Sequence, residues 1–93
     1  MRITPDIIRH EFIGTQARIV QSTHIGYLGL AGPVIAESKN TLTLIHQGQP
    51  KSVIKDLASF DFKFNDGTIV NIDGKLLVGI SEDRLKKSVK RLW

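Results

Sequence analysis

Short stretches in which apolar and polar residues alternate dominate the chain, and this period of two predicts β-strands. The cleanest example runs from Ala58 to Phe64, with Phe60, Phe62 and Phe64 on one side and polar residues on the other. An apolar strand face of this kind can stack nucleotide bases or fill a protein core. Because these are three of the four phenylalanines in the chain, we predict that they form the core.

Further candidate strands follow one another at close spacing, separated by turns rich in glycine, aspartate and asparagine. In chain order, the candidate strands are 16–22, 33–36, 41–45, 51–55, 58–64, 68–72 and 75–80. Asp-Gly pairs at 66–67 and 73–74 are typical of tight hairpin turns. Because closing a sheet removes its exposed edges, we predict that five to six of these seven segments form a mostly β fold, a small antiparallel barrel.

The stretch 29–46 predicts a hairpin at the centre of this sheet, with a polar turn over 37–40. Asn40 is a residue type that tolerates a positive φ at the end of such a turn. Gly29 and Gly32 let the first strand bend sharply or let another backbone approach it closely. We therefore expect the rest of the barrel to be arranged around this hairpin.

A short helix is predicted at each end of the barrel, which itself spans 15–80 of a single 93-residue domain. The N-terminal helix, 4–13, begins with Thr4 as its cap. The C-terminal helix, 81–93, begins with Ser81 as its cap and has its basic residues toward its end, as the helix dipole favours.

The composition excludes several kinds of chemistry. The chain has no cysteine, and its three histidines are spaced too far apart for paired metal ligands. Because no nucleophile or phosphate-loop motif occurs, we expect no catalytic residue, no metal site and no cofactor bound by this chain. His24 is the best lone candidate for chemistry, and the carboxylates of Glu37, Asp56, Asp61 and Asp66 are expected to be solvated. No apolar run suits a membrane span or a signal peptide, so we expect a cytoplasmic protein.

The charge balance favours a polyanionic partner. The net charge is +4 and the isoelectric point is near 9.7. Five of the thirteen basic residues lie in the last ten positions. Such a cluster can be a solvated helix face or a phosphate-binding surface, and the pattern alone leaves both open.

Several short motifs, in a fixed order over nearly the whole chain, resemble the archaeal ribonuclease P protein component 1 family. They are His10-Glu11-Phe12-Ile13-Gly14, Gly29-Leu30-x-Gly32-x-Val34-x-x-Glu37-x-x-Asn40-x-Leu42, Phe60-x-Phe62 with Ile72-Asp73-Gly74, and Glu82-Asp83-Arg84-Leu85-Lys86-Lys87. The chain departs from the family at Ile80-Ser81, where we expect Arg-Pro, and this removes one basic residue from the proposed RNA-binding face.

The resemblance implies a function as well as a fold. It implies an Sm-like, SH3-like barrel that is a non-catalytic subunit of ribonuclease P, the ribonucleoprotein that removes the 5′ leader of precursor tRNA. Catalysis, with its magnesium, would belong to ribonuclease P RNA, which this protein stabilises while it aids recognition of the precursor tRNA. A small zinc-ribbon protein subunit is implied as a heterodimer partner, docked near the N-terminal helix and the bent second strand.

Two sets of site residues follow from the resemblance. For RNA binding, we predict the basic and polar residues Arg2, Arg9, Lys39, Asn40, Arg84, Lys87 and Arg91. For the protein partner, we predict an apolar patch of Ile7, Ile8 and Leu30. The alternatives are a ring-forming Sm-like protein that binds single-stranded RNA and a barrel that serves as a protein-interaction adaptor.

Overall fold

The structure, a computed structural model, describes residues 7–8 and 11–84. Within this part of the chain, one antiparallel sheet has the strand order β4-β3-β2-β1-β5-β6. The strands are β1 (Gln16–Ser22), β2 (Ala31–Glu37), β3 (Thr41–His46), β4 (Gln49–Ile54), β5 (Ala58–Lys63) and β6 (Ile69–Asp73). Three 3₁₀ turns (Ile25–Tyr27, Lys55–Leu57 and Gly74–Leu77) and the helix α1 (Ser81–Arg84) complete the described elements.

The sheet bends until the turns that follow its two outer strands touch. Strands β4 and β6 form no ladder with each other among the described residues, but the turns that follow them are in contact. A Cβ atom at Gly74 would collide with the backbone carbonyls of Lys55 and Ala58, so a glycine is needed where these turns meet. The predicted mostly β, barrel-like fold is confirmed, although the last contact is made by turns and not by paired strands.

A single apolar core fills the inside of the bent sheet. Phe60 and Phe62 are fully buried, and the rings of Phe12 and Phe62 lie 4.4 Å apart between centroids. Phe64 is partly buried and packs against the same core. The prediction that this phenylalanine face forms the core is therefore confirmed. The buried apolar residues are Ile7, Ile8, Phe12, Ala17, Ile19, Val34, Leu42, Leu44, Val53, Ala58, Phe60, Phe62, Val70, Ile72 and Leu77.

The central hairpin consists of β2 and β3, as the sequence predicts. A Cβ atom at Gly32 would collide with the carbonyl oxygen of Ile45, so the predicted close approach of two backbones occurs at this glycine. The expected positive φ at Asn40 is wrong, because Gln47 is the one described non-glycine residue with a positive φ. The hairpin turn between β3 and β4 is short, since β3 ends at His46 and β4 already begins at Gln49.

Two predicted elements differ in the structure. The predicted strand 75–80 is wrong, because Asp73 caps the 3₁₀ turn Gly74–Leu77 by accepting a hydrogen bond from the Lys75 amide, at 3.0 Å. The predicted N-terminal helix does not include residues 11–13, which are not helical, and much of its range lies outside the described residues. Of the predicted C-terminal helix, the structure describes the first turn, Ser81–Arg84.

Candidate functional site

Three charged side chains meet inside the molecule, beneath the turn between β2 and β3. The Lys55 Nζ atom lies 2.9 Å from Glu37 Oε2, and Arg84 Nη1 lies 2.7 Å from the same oxygen. Arg84 Nη2 donates a further hydrogen bond to Glu37 Oε1, at 3.2 Å. The side chains of Lys55 and Arg84 are completely buried, and that of Glu37 is 5% exposed. We call these three residues the buried ion cluster.

A bulge in β2 turns Glu37 toward the interior. The β2–β3 register shifts by one residue between Val34 and Ala36, so that Val34 pairs with Leu44 and Glu37 pairs with Leu42. Val34, Leu42 and Leu44 are all buried, and the bulge therefore places Glu37 on their inward face. In a regular ladder, Ala36 would lie opposite Leu42 and the carboxylate would point outward.

The period of β4 places Lys55 on the same side. Val53 is buried, and Lys55 follows it by two residues, directly after the strand ends at Ile54. The ammonium group of Lys55 donates hydrogen bonds to the carbonyls of Ser38 and Gly79, both at 2.8 Å. A buried cation is tolerated when it is paired and its hydrogen bonds are made, and here the partners are a carboxylate and backbone carbonyls.

Arg84 joins the two ends of the described chain to this cluster. Its Nε atom donates to the carbonyl of Ile8 at 2.6 Å, and its Nη1 atom donates to the carbonyl of Leu77 at 3.0 Å and to that of Gly79. The guanidinium carbon also lies 5.6 Å from the centre of the Phe12 ring. The buried ion cluster therefore holds together the N-terminal segment, the β2–β3 turn and the start of α1.

The turn above the cluster is held by many hydrogen bonds. Ser38 N donates to Thr41 O at 2.9 Å, and Thr41 N donates to Ser38 Oγ at 3.1 Å. The carbonyl of Lys39 accepts from Gly79 N at 2.7 Å, and the carbonyl of Asn40 accepts from Lys55 N at 2.8 Å. These contacts fix the backbone of 38–41 on its inner side and leave the side chains of Lys39 and Asn40 exposed.

The predicted RNA-binding residues have different fates. Lys39 and Asn40 lie at an exposed turn, and no described acidic residue forms an ion pair with Lys39. Arg84 is buried in the ion cluster, so its predicted contact with phosphate is wrong for this structure: its guanidinium group is used by Glu37 and by backbone carbonyls. Four further predicted residues, Arg2, Arg9, Lys87 and Arg91, lie outside the described residues.

The predicted apolar partner patch is not exposed. Ile7 and Ile8 are 3% and 1% exposed and belong to the core, and Leu30 is partly buried against the same core. These residues are therefore not available to a partner in this structure, because the core of so small a domain needs them. Ile13 and Ile35 are better placed, since they are 45% and 47% exposed.

Other exposed cations lie on the strands and were not singled out by the sequence. Arg18 of β1 and Lys63 of β5 line a shallow groove on the outer face of the sheet, together with Asp61. Lys75, in the 3₁₀ turn Gly74–Leu77, lines a second groove with Asp56 and Asp73. The alternation of β1 and β5 places Arg18 and Lys63 outward, and this signal was available in the sequence.

The histidines that the structure describes have local structural contacts. His24 Nδ1 accepts a hydrogen bond from Gly26 N at 3.1 Å and so caps the 3₁₀ turn Ile25–Tyr27. His46 Nδ1 lies 3.1 Å from Ala31 N. Within residues 7–8 and 11–84, no group of three or more His, Cys, Asp or Glu side chains is arranged to hold a metal ion. The described part of the chain also contains no helix that could cross a membrane.

Comparison with known proteins places these features in a family. The family model described as ribonuclease P/MRP, subunit p29, matches residues 5–87 of the chain. The chain is 42% identical over 93 residues to ribonuclease P protein component 1 of Methanocaldococcus jannaschii, covering 98% of this chain and 97% of that protein. It is 45% identical over 82 residues to the protein of the same name from Pyrococcus furiosus, covering 88% of this chain but 65% of that protein.

A solved structure is similar as well. It is that of Mth11, described as a homologue of the human RNase P protein Rpp29, and it is 39% identical to this chain. The superposition has a TM-score of 0.61 and covers 81% of this chain and 97% of Mth11.

Proposed function

Because the chain belongs to the ribonuclease P/MRP p29 family, we propose that it is a non-catalytic, RNA-binding protein subunit of ribonuclease P. In this proposal the RNA subunit, with its magnesium, cuts the 5′ leader from precursor tRNA. The protein neutralises phosphates of the folded RNA, stabilises its active shape and aids recognition of the precursor tRNA.

The observation that carries the proposal is the exposed turn 38–41, which the rest of the fold holds in place. Its Lys39 side chain is exposed and has no acidic partner among the described residues, whereas its backbone is fixed by hydrogen bonds to Lys55 and Gly79. Contacts between lysine and phosphate give affinity without sequence preference, and they position a protein on folded RNA. A cation on a rigid turn loses less conformational freedom on binding than one on a mobile loop.

Further cations extend this surface in the proposal. Arg18 and Lys63 provide exposed positive charge on the outer face of the sheet. The predicted residues Arg2, Arg9, Lys87 and Arg91 remain proposed RNA contacts, whereas Arg84 acts from below by binding Glu37 before the turn and Gly79 before α1. The net charge of +4 supports association with a polyanion.

A protein partner is part of the same proposal. We place the zinc-ribbon subunit against the N-terminal segment and β2, as the family resemblance implies. The exposed apolar side chains of Ile13 and Ile35 would provide its contact, in place of the buried Ile7 and Ile8.

Reconstitution tests this function directly. The protein is mixed with ribonuclease P RNA and the other protein subunits at moderate magnesium concentration, and cleavage of precursor tRNA is compared with a mixture that lacks this chain. We expect a clear loss of cleavage when the chain is omitted. Unchanged cleavage, together with no salt-dependent binding to ribonuclease P RNA, would overturn the proposal.

Two measurements test the alternatives: sizing of the free protein and the salt dependence of its RNA binding. A ring-forming Sm-like protein would elute at several times the mass of 10.4 kDa. A protein-interaction adaptor would bind its protein partner but show no affinity for ribonuclease P RNA that declines with salt.

A further inference from the structure

Three successive carbonyl groups of the β2–β3 turn point toward the inside of the molecule. The carbonyl of Ser38 accepts a hydrogen bond from the buried Lys55 ammonium at 2.8 Å. The carbonyl of Lys39 accepts from Gly79 N at 2.7 Å and lies 3.4 Å from Lys55 Nζ. The carbonyl of Asn40 accepts from Lys55 N at 2.8 Å.

Peptide geometry fixes where the neighbouring N–H groups point. The described chain contains no cis peptide bond, and in a planar trans peptide the C=O of one residue and the N–H of the next lie on opposite sides. An inward Ser38 carbonyl therefore directs the Lys39 N–H outward, and an inward Lys39 carbonyl directs the Asn40 N–H outward. No described residue accepts a hydrogen bond from either N–H group.

We propose that the turn 38–40 is a phosphate-binding site formed by the N–H groups of Lys39 and Asn40 and by the Lys39 ammonium group. Two adjacent outward N–H groups can donate to two oxygens of one phosphate, and the ammonium adds a charge-assisted contact. Lys55 is a positioning residue in this site, because it holds the carbonyls inward and contacts no ligand itself. The inference rests on the proposed function, in which the phosphate belongs to RNA.

The nearby acidic residues are compatible with this site. Glu37 is 5% exposed and paired with two cations, so it presents little negative charge to the surface. The carboxylate of Asp83 approaches Gly79 and accepts a hydrogen bond from Ile80 N at 3.3 Å, at the start of α1. Because Gly79 N binds the Lys39 carbonyl, Asp83 is a described acidic residue near the turn, and we expect Asp83→Asn to strengthen phosphate binding slightly.

Two substitutions at one position separate the N–H group from the ammonium group. Lys39→Ala removes the ammonium and keeps the N–H. Lys39→Pro removes both, and proline is favoured at the second position of a four-residue turn such as 38–41. A difference between the two variants therefore measures the N–H contact. An amide spectrum that matches the wild type away from the turn checks that each variant is folded.

Inorganic phosphate and ribonuclease P RNA are the two probes, and the readout is the amide NMR spectrum of the full chain. We expect the Lys39 and Asn40 amide signals of the wild type to shift saturably with phosphate and to shift in the same direction with RNA. The Lys51 and Lys75 amides, which belong to exposed lysines outside the proposed surface, serve as internal controls. Lys39→Ala should weaken RNA binding about threefold to fivefold, and Lys39→Pro by a further factor of about ten.

The outcomes distinguish this site from the function on which it rests. Equal RNA affinity of Lys39→Ala and Lys39→Pro would overturn the N–H site, while salt-dependent RNA binding by the wild type would keep the proposed function. Shifts with phosphate that do not appear with RNA would also overturn the site, because the anion would then be bound non-specifically. Absence of any RNA binding by the wild type would overturn the proposed function itself.

Discussion

The interior of this protein has two regions that are equally buried and chemically opposite. Around Phe60 and Phe62 the core is apolar, and many alternative packings of similar volume would be acceptable. Beneath the β2–β3 turn, Glu37, Lys55 and Arg84 form a buried ion cluster in which each polar atom has a specific partner. The apolar region thus supplies most of the driving force for folding, whereas the ion cluster determines where the turn and the chain ends lie.

The comparison shows why so small a domain would keep charges inside. Replacing a buried ion cluster by apolar residues is often neutral for stability, so such a cluster is weak evidence for stabilisation. Here the cations also bind the carbonyls of Ile8, Ser38 and Gly79, which come from three separate segments. Apolar side chains could fill the same volume but could not orient those carbonyls.

The largest effect is expected from Glu37→Ala, which leaves two buried cations without their common carboxylate. Removing one partner of a buried ion pair costs about 3–5 kcal/mol of unfolding free energy, a large share of the roughly 5–15 kcal/mol that holds such a domain together. Urea unfolding followed by circular dichroism measures the loss. The exposed Glu11→Ala variant is the control and should lie within about 0.5 kcal/mol of the wild type.

A loss below about 1 kcal/mol for Glu37→Ala would contradict this account, since the two cations would then be satisfied without the carboxylate.

Gly74→Ala tests the place where the two regions meet, because the turn after β6 lies there against the backbone of Lys55 and Ala58. The added methyl group would force these backbones apart, and we expect a loss of about 1–3 kcal/mol, as for overpacked cores. Thermal unfolding of this variant is compared with that of Gly48→Ala, where a Cβ meets nothing within 4 Å.

Gly48 has a φ of 80°, so its own variant measures backbone strain alone. If Gly74→Ala were no less stable than Gly48→Ala, the backbone contact between the two turns would not be needed to bring the sheet ends together.

A pair of conservative substitutions sharpens the comparison further. Leu42→Met conserves volume in the apolar region and should cost less than about 1.5 kcal/mol. Glu37→Gln also conserves volume but removes the charge that both cations need, and we expect about 1.5–3 kcal/mol, as for hydrogen bonds to charged groups. The two variants are compared by urea unfolding in the same buffer. Equal losses would mean that shape alone, and not charge, matters beneath the turn.

How far the sequence predicts each region follows from the same contrast. The alternation of Phe60, Phe62 and Phe64 depends on one strand alone, and it predicted the core correctly. The position of Glu37 depends on a bulge between β2 and β3, which no local pattern reveals, and its carboxylate was expected in solvent. Lys55 follows Val53 by two residues, so the period of the strand indicates an inward position for its side chain. A buried lysine needs a partner, however, and the local sequence does not reveal which residue that is.

Arg84 shows the limit most clearly. Its neighbours in the sequence are basic and were predicted to be helical, and this favoured a surface contact with phosphate. Its actual partners, Glu37 and Ile8, are 47 and 76 residues away along the chain. Only the tertiary fold brings them together, and a local pattern cannot distinguish a basic residue that binds RNA from one that holds the fold.

The smallest effect on stability, and the most direct one on function, is expected from Lys39→Gln. Lys39 is exposed above the ion cluster and has no acidic partner among the described residues, so its loss should change the unfolding free energy by less than about 0.5 kcal/mol. If its ammonium contacts one RNA phosphate, the plot of log binding constant against log salt should become shallower by about one unit. Lys75→Gln is the matched control, because Lys75 is also exposed but lies in a groove with Asp56 and Asp73, which disfavours phosphate. Fluorescence anisotropy with labelled ribonuclease P RNA over a salt series measures both slopes. A shallower slope for Lys75→Gln with no change for Lys39→Gln would move the RNA-binding surface away from the turn, and the buried ion cluster would then serve the fold alone.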